Sequence, residues 1–146
     1  MHVPIAFRMK VEEVMTRRVV TIPSTATVRE ASELMDTENI GSLVVVEENR
    51  PVGIVTERDL VRKVLARHRD PGEVRVSEVM SKPLIYVTPD AFLSEAAGLM
   101  GGHNIRRLPV IEGDRLVGII TMYDIIRHYR ETVYSIIDML LTLTRV

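Results

Sequence analysis

The sequence predicts an α+β fold made of two copies of one β-α-β-β-α unit, packed through their sheets about a pseudo-two-fold axis. Three observations predict it. The 146-residue chain matches itself without a gap at an offset of 65 residues, with 21 of the 52 positions in 11–62 identical to their partners in 76–127. Each copy holds one stretch with helix-period apolar residues and two short apolar runs rich in β-branched residues. A unit of about 50 residues with continuously apolar strands cannot cover both sheet faces alone, so the copies are expected to pack on each other.

The elements follow in order. Each copy opens with a short segment ending in Val-Met, at Val14-Met15 and Val79-Met80. An extended stretch comes next, from Val19 to Ile22 and from Leu84 to Val87. The first helix places Val28, Ala31, Leu34 and Met35 on one face, and its copy does so with Leu93, Ala96, Ala97 and Met100. His103 reads as the C-terminal cap region of that second copy, with Gly98, Gly101 and Gly102 placed after the helix. Leu43 to Val46 and Val52 to Val55 form a hairpin across the turn Glu47 to Arg50. Leu108 to Ile111 and Leu116 to Ile120 do the same across Glu112 to Arg115. A second helix begins near Thr56 and near Thr121, and Pro71-Gly72 marks a linker over 67–75. The expected organisation is a first repeat at 1–70, a second at 71–130 and a helical extension at 131–146. In that extension Val133, Ile136, Ile137, Leu140 and Leu141 make an apolar stripe, suited to covering the core or docking a partner.

Composition narrows the functions. Hydrophobic residues are 46% and charged residues 27%, which fits a globular chain and excludes disorder as its main state. Nineteen Lys and Arg against 20 Asp and Glu leave a net charge of −1, so the basic excess of a nucleic-acid binder is missing. Arg62, Lys63, Arg67 and Arg69 are basic, but nearby acids offset them. Four Tyr, two Phe and no Trp offer little for stacking bases. There are no cysteines, which excludes disulfides, thiolate metal sites and cysteine nucleophiles. Asp138 breaks the most apolar stretch, far short of the about 20 residues of a membrane span. No signal-peptide pattern follows Arg8 and Lys10. The expectation is a cytoplasmic protein away from membranes.

The strings GIVTERDL at Gly53–Leu60 and GIITMYDI at Gly118–Ile125 share a Gly-x-x-Thr-x-x-Asp spacing. With VEEVMT, TVREASELM, NIGSLVVV and NIRRLPVI, they resemble the cystathionine β-synthase (CBS) domain pair, or Bateman module, over roughly residues 11–127. The resemblance implies a stand-alone sensor without catalytic activity that binds AMP, ADP or ATP in clefts between repeats. It also implies a homodimer and an effector protein that the sequence does not name.

The residues support that chemistry. Thr56 and Thr121 stand between a strand and a helix, with Asp59 and Asp124 three positions on. That spacing reads as a capping box, and equally as a carboxylate placed to accept ribose hydroxyls at an anion-attracting helix start. By resemblance, the preferred cleft takes Thr121 and Asp124 for ribose and Arg106, Arg107 and Arg58 for phosphate. Ala31, Ile40, Gly41 and Ser42 would surround its base. Arginine suits phosphate because its planar fork makes paired, charge-assisted bonds. The second cleft would take Thr56, Asp59, Ala96, Ile105 and Tyr123.

Other signals carry less. His2, His68, His103 and His128 have no metal-ligand spacing. No phosphate loop, dinucleotide fingerprint or nucleophile elbow is present, and Glu12-Glu13 and Glu47-Glu48 read as a helix start and a turn. The leading expectation is therefore a nucleotide sensor that needs no cofactor and holds no metal. Two alternatives remain: an interaction module with weak or empty clefts, and a sensor of S-adenosylmethionine or a related adenosyl ligand.

Overall fold

The computed structural model describes residues 8–143, so His2 and the end of the C-terminal extension fall outside the described residues. Packing cuts the chain across the sequence repeats. One unit comprises Arg18–Ile85 with Gly113–Leu116, and the other draws on Met1–Arg17, Tyr86–Glu112 and Val117–Val146. The opening segment of each repeat thus packs with the body of the other repeat. A one-turn 3-10 helix at Val11–Glu13 belongs to the second unit, and α3 at Val76–Val79 belongs to the first.

The first unit contains β1 (Thr21–Pro23), α1 (Val28–Glu38), β2 (Ser42–Glu47), β3 (Arg50–Thr56) and α2 (Glu57–Leu60). A π-helical turn at Val61–Leu65 continues α2. The sheet order is β1-β2-β3, with β1 parallel and β3 antiparallel to β2. The central strand is the most buried, as continuous apolar sequence requires. Its hairpin turns through Glu48 and Asn49, both left-handed at φ 50° and 66°, the turn whose twist matches that of the strands. Thr27 caps α1 by accepting from the Glu30 N–H, and left-handed Asn39 closes it. Ile22, Ala31, Met35, Leu43, Val45, Val55, Val64, Val76 and Val79 pack into this unit's core.

The second unit contains α4 (Leu93–His103), β4 (Arg107–Glu112), β5 (Arg115–Thr121) from Val117 onward, and α5 (Met122–Leu143). Its sheet has two strands. The strand expected at Leu84–Val87 is reduced to one parallel bridge, Val87 to Val110. Two prolines explain the loss. In the first unit the rungs include Val44 N–H to the Val20 carbonyl and Ser24 N–H to the Val46 carbonyl. The matching donors here are Pro109 and Pro89, which have no N–H. Only the Val87 N–H to Pro109 and Ile111 N–H to Val87 bonds remain.

One further expectation changes. Gly98, Gly101 and Gly102 lie inside α4, which ends at left-handed Asn104. The buried face of Leu93, Ala96 and Met100 holds the helix despite the low propensity of the three glycines. The second helix of repeat two and the C-terminal extension are one continuous helix, α5. No described helix is long and apolar enough to cross a membrane.

Equivalent glycines admit the exchanged segments. A Cβ on Gly53 would stand 2.8 Å from the Ser81 carbonyl oxygen, and one on Gly118 would stand 2.9 Å from that of Thr16. At both places the opening segment runs against the strand, bridging Ile54 to Ser81 and Thr16 to Ile119.

Candidate functional site

Both Thr-x-x-Asp strings form complete capping boxes. In the first unit the Asp59 N–H donates to Thr56 Oγ1 at 3.2 Å, and Thr56 N–H donates to Asp59 Oδ2 at 2.9 Å. In the second, the Asp124 N–H donates to Thr121 Oγ1 at 3.1 Å, and Thr121 N–H donates to Asp124 Oδ2 at 2.9 Å. The cap reading is thus realised in each copy, and it fixes each carboxylate at a helix start.

A cation holds the other oxygen of each carboxylate. Lys63 Nζ lies 3.0 Å from Asp59 Oδ1, and Arg127 Nη2 lies 3.1 Å from Asp124 Oδ1. Arg127 also stands over the Tyr123 ring at 5.2 Å. The acceptor capacities differ. Asp59 Oδ2 takes a second bond, from Thr56 Oγ1 at 3.1 Å, the third on that carboxylate, whereas Asp124 has one bond on each oxygen. A carboxylate offers about four lone-pair directions, so Asp124 keeps more capacity for further O–H donors. Its residue is also buried, at 7% exposure.

The residue just before β4, and its counterpart just before β2, meet the helix starts through their backbone. The Arg106 carbonyl accepts from the Met122 N–H at 2.7 Å, and the Gly41 carbonyl accepts from the Glu57 N–H at 3.0 Å. Thr121, Asp124, Arg106 and Arg107 therefore share one unit, with Ala96, Ile105 and Tyr123. Thr56, Asp59, Arg58, Ala31, Ile40, Gly41 and Ser42 share the other. Ser42 pairs directly with Thr56 in the sheet and is buried. Arg58, Tyr123 and Arg106 are exposed, and Arg107, Ile40 and Ile105 are half-buried. Ala31 and Ala96 have no exposed surface, so both are packing residues and neither presents a face to a base. Tight packing on the helix undersides consumes them.

Sequence reading missed Lys63 and Arg127 as partners of these acids. Their i,i+4 and i,i+3 spacing from Asp59 and Asp124 is the signal that finds them. Lys63 and Arg69 are engaged with Asp59 and Glu78. Among the described residues no cluster of three or more His, Asp and Glu could hold a metal ion.

A separate groove of about 440 Å³ lies in the first unit, walled by Val28, Met35, Leu60, Val61, Val64 and Leu65. Asp36 and Glu57 also line it, which makes it hostile to phosphate, and neither Thr56 nor Asp59 does.

A family model for the CBS domain matches residues 11–66 and again 76–131. The chain belongs to the CBS domain family. It carries the domain as a tandem pair, the architecture of a regulatory module. The CBS domain-containing protein YhcV of Bacillus subtilis is 40% identical over 115 residues, 79% of this chain and 81% of YhcV. Protein MK0525 of Methanopyrus kandleri is 43% identical over 121 residues, 82% of this chain but 62% of MK0525. The chain therefore spans less than two thirds of that relative. The CBS domain pair of MJ0100, solved with 5′-methylthioadenosine and S-adenosyl-L-methionine, superposes with a TM-score of 0.77 at 28% identity, covering 85% of this chain and 98% of that one. A hexameric CBS-CP12 protein from bloom-forming cyanobacteria gives 0.74 at 43% identity, covering 81% and 70%.

Proposed function

We propose that this CBS pair is a non-catalytic sensor of adenine nucleotides, with Thr121 and Asp124 as its stronger ribose site. The observation that carries the reading is the Asp124 carboxylate: buried, fixed by its own helix cap, and left with capacity for two more donors. A ribose diol supplies two such O–H donors. Arg106 and Arg107 stand beside the start of the same helix and supply charge for phosphate. Thr56 and Asp59 form the second ribose site, weaker because more of the carboxylate is used. The adenosyl compounds held by the MJ0100 pair support an adenosine-containing ligand. The two arginines favour AMP, ADP or ATP over S-adenosylmethionine, whose sulfonium is cationic. No cofactor is required.

Isothermal titration with AMP, ADP, ATP and S-adenosylmethionine tests this. The expected result is saturable binding of a nucleotide whose tighter component weakens at least tenfold in Arg106→Ala and disappears in Asp124→Asn, leaving the weaker component of the Asp59 site. Binding of S-adenosylmethionine alone would replace the nucleotide reading with the adenosyl one.

The exposed apolar side chains favour self-association as well. Val61 and Leu65 at the groove, and Val133, Ile136, Ile137, Leu140 and Leu141 on α5, are each more than two-fifths exposed. A homodimer in cytoplasm, signalling to an effector protein, completes the proposal. Light scattering at the monomer mass would refute the dimer.

A further inference from the structure

Lys63 reaches in two directions. Its ammonium lies 3.0 Å from Asp59 Oδ1 and donates at 2.8 Å to the Val79 carbonyl. Val79 ends the single-turn helix α3, where carbonyls lack helical partners and a cation is favoured. Val79 itself is buried, at 1% exposure, so the bond anchors to a fixed point. Two residues later the chain returns to the strand that feeds Asp59. Ser81 N–H donates to the Ile54 carbonyl at 2.9 Å, and Ile54 lies two positions before Thr56. A closed circuit results, running from Thr56 through Asp59, Lys63, Val79 and Ser81 to Ile54. In the second unit the cation on the acid comes one repeat position earlier. There Arg127 holds the acid and stacks on Tyr123, and the position matching Lys63 is His128.

We propose that Lys63 is a coupling residue, linking the state of the Asp59 carboxylate to the segment Val79–Ser81 that leads toward the second repeat's sheet. The proposal rests on the reading of Asp59 as a ribose acceptor only for what biases the circuit in use. Ribose hydroxyls that hold the carboxylate in place also hold Lys63 on Val79, so a bound nucleotide tightens the segment. A ligand acts here through its different affinity for the tight and loose arrangements.

Hydrogen–deuterium exchange at the Met80 and Ser81 amides tests the proposal. Both are hydrogen-bonded, to Val76 and Ile54, and so report local opening. Without ligand, Asp59→Asn is expected to speed their exchange about tenfold in the Lys63 protein and to add nothing in Lys63→Met. Lys63→Arg is expected to restore most of the protection. Additive effects of Asp59→Asn and Lys63→Met would overturn the coupling, as would unchanged exchange in Asp59→Asn. With saturating AMP, exchange is expected to slow in the wild type and stay unchanged in Lys63→Met. If calorimetry shows that AMP does not bind, the ribose reading fails, and the ligand-free pair of variants still decides the role of Lys63. If AMP binds and slows exchange equally in Lys63→Met, the coupling is wrong and the ribose reading stands.

Discussion

At the scale of residues, the same two side chains do structural and proposed functional duty. Thr121 and Asp124 begin α5, so removing the hydroxyl costs stability even if no ligand exists. Thr121→Val is expected to lower unfolding free energy by about 1 kcal/mol, measured by urea denaturation. A cost near zero would mean that the cap bond is not retained in solution. Asp124→Asn keeps the side chain's shape, and so separates binding from folding better than alanine does. Glu78 gives a pH signature. The Arg75 N–H donates to its carboxylate at 2.7 Å and Arg69 pairs with it at 2.8 Å, which lowers its pKa from the ordinary 4.5. A lowered folded-state value means that stability is present above the unfolded pKa and lost as pH falls through the folded one. Denaturation between about pH 5 and pH 3 is therefore expected to be less steep in Glu78→Gln, by a small margin because the group is exposed. The Thr-x-x-Asp pairs were legible in the sequence because a fixed spacing carries their geometry. Lys63's second bond, to the Val79 carbonyl, was not legible, because 16 residues separate the partners and tertiary packing alone joins them.

At the scale of elements, periodicity located both hairpins and both amphipathic helices, since burial of one face decides them. It failed at Leu84–Val87, where apolar sequence is present but the rung donors are not. Those donors are missing because of Pro109, on the facing strand, and Pro89, two residues beyond the run. Three glycines likewise suggested an end to α4 that its buried face overrides. Turn chemistry yields one reciprocal prediction. Glu48 is left-handed at φ 50°, and its repeat-two counterpart is Gly113 at φ 62°. Glu48→Gly is expected to be neutral or to stabilise by up to about 1 kcal/mol, and Gly113→Val to destabilise by about 1–2 kcal/mol. Thermal melts of the two variants moving in the same direction would refute this account of the turns.

At the scale of the whole molecule, duplication is combined with exchange. Each repeat's opening segment lies on the other repeat's strand, at Thr16 to Ile119 and Ile54 to Ser81. Such lacing makes independent unfolding of the repeats costly. Gly53→Ala and Gly118→Ala each press a Cβ against a backbone carbonyl, and each is expected to cost about 1–3 kcal/mol. Both are also expected to leave a single cooperative transition; two separated transitions would show that the lacing is not structural. The repeat itself was plain in the sequence, but the exchange was not. A matched offset shows which residues correspond and leaves open which copy they pack with. The central claim is ligand sensing by Asp124, and one measurement addresses it most directly: thermal unfolding of wild type and Asp124→Asn against AMP, ADP and ATP. A site at 100-fold saturation adds about 2.7 kcal/mol. That predicts a wild-type rise of roughly 5–11 °C with a nucleotide and a clearly smaller one in the folded Asp124→Asn variant, which keeps only the weaker Asp59 site. No rise with any of the three, or an equal rise in both proteins, would contradict the claim.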